Sequence, residues 1–99
     1  MVLFVILEEL TFREFFLREI RKTKSELFSI IIVSVFFSLS HLNTDSGLLP
    51  VFIGSLIISR LYLKSNSILN AILLHFLINI SNFFIYLLFA NFPELNFVY

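Results

Sequence analysis

Four apolar runs separated by short polar breaks organise the chain, and each has the length of a helix. Residues 1–22 begin apolar, meet Glu8, Glu9 and Arg13, and continue as an amphipathic stretch. In that stretch Leu10, Phe16, Leu17 and Ile20 suit lipid or protein, while Arg18, Arg21, Lys22 and Lys24 reach for headgroups. Residues 27–42 are rich in Ile, Val and Phe. Their β-branched content would suit strands, but open strands cannot satisfy their backbone groups in lipid, so a helix of about 24 Å is predicted. Ser34, Ser38 and His41 stand at i, i+4 and i+7 and form one polar stripe, which marks the face turned to protein. A break at residues 43–47 leads into a span over 48–63, with Pro50 in its first turn and Gly54, Ser55 and Ser59 as the small residues for a close helix contact. Arg60 and Lys64 snorkel from its far end. Ser67 is placed to cap the last span, residues 68–90, on which His75, Asn79, Asn82 and Tyr86 share one face. Residues 91–99, with Pro93, form a short tail.

Composition sharpens this picture. The chain has 99 residues, 59% of them hydrophobic and only 14% charged, with 14 Phe against 2 Gly and 2 Pro. That is membrane-protein composition. The expected fold is all-α: a polytopic transmembrane bundle of four helices, a single domain over residues 1–99, in the cell membrane. Formal net charge is zero, which argues against a nucleic-acid partner. Without Cys there is no disulfide framework, thiolate metal site or cysteine nucleophile. Two Glu follow the first apolar residues, which is not a signal-peptide pattern. Arg18, Arg21, Lys22, Lys24, Arg60 and Lys64 mark the cytoplasmic side.

Charges inside apolar sequence are expensive and point to function. Glu9 and Arg13 are one turn apart and form the expected ion pair, which leaves Glu8 about 100° round the helix to face another group. His41, or His75 with Asn79, can meet it. In a soluble helix the same acidic and basic residues would be an ordinary surface ion-pair pattern. Here the apolar flanks disfavour the charged form, which makes Glu8 a candidate for taking a proton from water near neutral pH. One Glu, two His and one Asn suffice for hydrolysis of an amide: Glu8 as general base, His41 holding the same water, and His75 and Asn79 donating to the oxyanion. No cofactor is needed for that scheme. A zinc ion on Glu8, His41 and His75 is the competing arrangement, although no H-E-x-x-H helix is present to fix it.

Three motifs in order, Glu8-Glu9-Leu10-Thr11-Phe12-Arg13, Phe37-Ser38-Leu39-Ser40-His41 and His75-Phe76-Leu77-Ile78-Asn79, resemble the CPBP family of intramembrane proteases, also called the CAAX prenyl protease or Abi family, in its bacterial type. Gly54, the Leu61-Tyr62-Leu63 segment and Ser67-Ile68-Leu69 add to the likeness, which covers residues 4–82. The resemblance implies an all-helical membrane peptidase in which Glu8 and His41 activate water, His75 and Asn79 stabilise the intermediate, and Glu9 and Arg13 orient the site. It implies a peptide or protein substrate at the bilayer, and lipid or further helices, including a second copy of the chain, as neighbours. The family was long labelled metal-dependent, while a metal-free glutamate mechanism is the better supported reading for some members. Two departures stand out: Glu14 occupies a position where the family usually has Gly, and the family's upstream membrane helices are expected to be absent from this core. The alternative readings are a non-catalytic bacteriocin-immunity or binding protein of the membrane and a truncated, inactive fragment.

Overall fold

The computed structural model describes residues 2–42 and 47–91. The break at 43–46 and the tail at 92–99 lie outside the described residues. The first helix is continuous but composite: α1 (Val2–Glu9) passes into a π-helical segment (Leu10–Leu17) and then into α2 (Arg18–Arg21), with α-helical backbone at each junction. Sequence periodicity alone predicts a plain α-helix here. The π winding takes more than four residues per turn, so residues four apart stay in line, and Val5, Glu9, Arg13 and Leu17 form the buried edge. Leu17 thus faces protein.

Helix α3 (Glu26–Leu39) starts at Ser25, whose Oγ accepts from the Phe28 N–H at 3.2 Å. It is two residues shorter than the apolar run predicts. Helix α4 (Leu48–Ser65) carries Pro50 in its first turn and ends at Asn66, which closes the helix in the left-handed region at φ 53°. Helix α5 (Ile68–Asn91) is capped by Ser67, whose Oγ accepts from the Asn70 N–H at 3.3 Å. Among the described residues, α4 and α5 are the two helices long and apolar enough to cross a membrane.

A small core of Leu17, Ile30, Val33, Ile58, Tyr62 and Ala71 lies where the first helix, α3, α4 and the start of α5 meet. The outside of the bundle is apolar as well, with Phe4, Phe15, Leu27, Phe36, Leu49, Leu77 and Phe84 exposed. In lipid such a surface gives no drive to associate, so close packing and interhelical polar links must hold the helices together, each link worth roughly 0.6 and up to about 2 kcal/mol. The first helix supplies one to every neighbour: Glu8 to the His41 that follows α3, Arg13 to Ser55 of α4, and Glu9 to His75 of α5. Glu14 accepts from the Tyr62 hydroxyl at 2.6 Å, and Glu26 of α3 pairs with Arg60 of α4.

Two expectations are corrected. Ser55 and Ser59 are buried in the α4 contact, but a Cβ on Gly54 would meet nothing within 4 Å, so Gly54 faces open space and makes no close approach. On α5 the predicted polar stripe is covered only at its start. His75 is buried and Asn79 half-buried, whereas Asn82 and Tyr86 are exposed because the helix runs on past its neighbours.

Candidate functional site

The site is built on the α-to-π junction of the first helix, where Glu8 and Glu9 point to different neighbours. Glu8 Oε2 lies 3.2 Å from His41 Nε2, and the two side chains keep 27% and 21% of their surface exposed. His41 follows the last turn of α3, and its Nδ1 is 2.9 Å from the Phe37 carbonyl. A carbonyl only accepts, so that nitrogen carries a proton. A carboxylate and an imidazole this close can pass a proton between them.

Glu9 is in the opposite surroundings. Its side chain is fully buried, with Oε2 2.8 Å from His75 Nδ1 and 3.4 Å from Arg13 Nη1. Arg13 is also fully buried; its Nη2 donates to the Ser55 carbonyl at 3.0 Å and to Ser55 Oγ at 2.7 Å. A buried carboxylate without a cation would be strongly unfavourable, and Arg13 supplies that cation. Glu9 Oε1 and Arg13 Nε have no partner among the described residues, which leaves polar atoms for water inside the bundle.

Phe37 joins the two halves. Its ring is 4.7 Å from the His41 ring, 6.0 Å from His75 and 5.0 Å from Phe12, and the Arg13 guanidinium carbon sits 4.7 Å from its centroid. His41 closes its helix and His75 lies two turns into its own, yet the two flank one aromatic ring. Asn79, one turn beyond His75 on α5, is half-buried.

Of the residues expected to converge, Glu8 meets His41 and Glu9 meets Arg13, whereas His75 meets Glu9 and not Glu8. That pairing bears on the zinc arrangement. With His75 drawn to Glu9, no three His, Cys, Asp or Glu groups among the described residues are placed to hold a metal ion. As arranged, Glu8, His41 and His75 do not fit one. Sequence reasoning misses the role of Ser55 as acceptor for Arg13, because a hydroxyl in an otherwise apolar helix reads only as small. It also misses the pairing of Glu14 with Tyr62 and, through Oε1, with Arg18 at 2.7 Å.

A family model described as type II CAAX prenyl endopeptidase Rce1-like matches residues 1–81, a stretch that contains Glu8, Glu9, Arg13, His41, His75 and Asn79. No curated protein and no solved structure matches significantly.

Proposed function

Because this chain belongs to the type II CAAX prenyl endopeptidase Rce1-like family, we propose that it is an intramembrane endopeptidase that hydrolyses a peptide bond of a membrane-associated peptide or protein, using Glu8 and His41 to activate water. The observation that carries this reading is the 3.2 Å approach of Glu8 to His41 at a partly open position, beside a sealed Glu9–Arg13–His75 network.

In the proposed reaction a water held by Glu8 and His41 attacks the peptide carbonyl carbon, and its proton passes to the pair. The carbonyl electrons move onto oxygen, where His75 Nε2 and the Asn79 amide donate hydrogen bonds. His75 has its Nδ1 on the Glu9 carboxylate, which orients the ring, so donation from Nε2 in this scheme requires the ring to carry both protons. The carbon–nitrogen bond then breaks, and the proton held by Glu8 and His41 goes to the leaving amine. Arg13 supplies the counter-charge beside Glu9, and Phe37 packs against both imidazoles. No metal or other cofactor takes part. The bundle crosses the membrane several times with its basic end in the cytoplasm.

The test is cleavage of a membrane-bound peptide by the purified protein in lipid, wild type beside Glu8→Ala and His75→Ala, with and without a chelator. The expected outcome is cleavage that survives chelation and is lost in both variants. Loss on chelation would overturn the metal-free scheme, and cleavage by folded Glu8→Ala would overturn the base assignment.

A further inference from the structure

Six of the seven Lys and Arg residues, all but Arg13, gather at the end of the bundle formed by α2, the start of α3 and the end of α4. Three carboxylates accompany them, Glu14, Glu19 and Glu26, which leaves three positive charges in excess. Those carboxylates pair with Arg18, Lys22 and Arg60. Arg21 has no carboxylate partner among the described residues; it donates only Nη1, to the Lys24 carbonyl at 3.0 Å. A guanidinium has five N–H donors, so most of Arg21 is left over.

Arg21 lines a pocket of about 230 Å³ between α2 and the end of α4, together with Arg18, Lys22, Tyr62, Leu63 and Asn66. Three cations face one hollow, with amide and hydroxyl groups beside them and Leu63 on the wall. The pocket lies at the end of α4, a helix long and apolar enough to cross a membrane. Guanidinium groups bind phosphate oxygens in pairs, and basic clusters at the edge of a membrane-embedded surface attract anionic lipid.

We propose that this pocket binds the phosphate of an anionic phospholipid headgroup, with Arg21 as its principal ligand and Arg18 and Lys22 beside it. A free phosphate would meet the same cations but would leave Leu63 uncovered, whereas a lipid bound at the end of a membrane-crossing α4 covers it with its acyl chains. Bound there, the lipid ties the end of the first helix to the end of α4, the two elements that also meet at Arg13 and Ser55. The site is distinct from the Glu8–His41 pair, and binding is measurable without any cleavage.

The experiment is a titration of the purified chain in mild detergent with phosphatidylglycerol, phosphatidylcholine or inorganic phosphate, read by native mass spectrometry and thermal stability. Phosphatidylglycerol alone is expected to bind saturably and raise the melting temperature. Arg21→Gln weakens that binding about fivefold, while Lys64→Gln, the same charge change outside the pocket, weakens it less than twofold, and Arg21→Lys recovers part of the loss. Equal losses in Arg21→Gln and Lys64→Gln, or equal stabilisation by phosphatidylcholine, would overturn the site. Inorganic phosphate binding as tightly as phosphatidylglycerol would overturn the lipid as its source.

Discussion

Glu8 and Glu9 are neighbours in sequence and on the same turn of helix, yet they live in different media. Glu8 keeps about a quarter of its side chain exposed and pairs with an imidazole that already has a backbone carbonyl partner. Glu9 has none exposed and is held by a guanidinium and a second imidazole. Under the proposed function, burial divides labour between identical side chains. A carboxylate that can gain and lose a proton needs access and few partners, whereas one that fixes the geometry of others needs the reverse.

The largest expected effect comes from breaking the sealed side. Arg13→Met leaves the Glu9 carboxylate buried without its cation, and the bundle should lose about 3–5 kcal/mol on reversible unfolding in lipid micelles. Next is His75→Gln, which keeps an N–H for Glu9 but removes the imidazole donor from the proposed oxyanion site. Cleavage should fall about 10²–10³-fold in kcat, with folding intact and KM little changed. Ser55→Ala sharpens the comparison further, since Arg13 loses the hydroxyl but keeps the Ser55 carbonyl. Unfolding should report a loss of about 1 kcal/mol. The smallest effect is expected far from both carboxylates: Arg60→Gln removes the exposed pair with Glu26 and should change stability by less than about 1 kcal/mol, a change that salt screens away.

Much of this arrangement is legible in the sequence. Apolar run lengths locate the helices to within a few residues, since lipid leaves the backbone no choice but helix. The i, i+4 spacing of Glu9 and Arg13 marks their pairing, and Ser67 marks the start of α5. The stripe Ser34, Ser38 and His41 marks the inner face of α3, where both Ser are buried. What stays hidden depends on three-dimensional neighbours. The π winding of residues 10–17 leaves no trace in an apolar pattern, because either winding presents Leu17 acceptably. The choice of Glu9 over Glu8 by His75 depends on how α5 is seated against the first helix. Gly54 and Ser55 look equally small in sequence, but only one of them faces a neighbour. On α5, Asn82 and Tyr86 continue the spacing of His75 and Asn79, yet periodicity cannot tell that the neighbours end before they do.

The central claim is that Glu8 does the chemistry and Glu9 holds the frame. Its most direct test is Glu8→Gln beside Glu9→Gln, with unfolding and peptide cleavage measured on the same preparations in lipid. Glu8→Gln should unfold like the wild type while cleavage drops by about 10²–10⁴-fold, and Glu9→Gln should lose about 3–5 kcal/mol because Arg13 is left buried without a counter-charge. A Glu8→Gln protein that still cleaves, or two variants that lose stability equally, would contradict it.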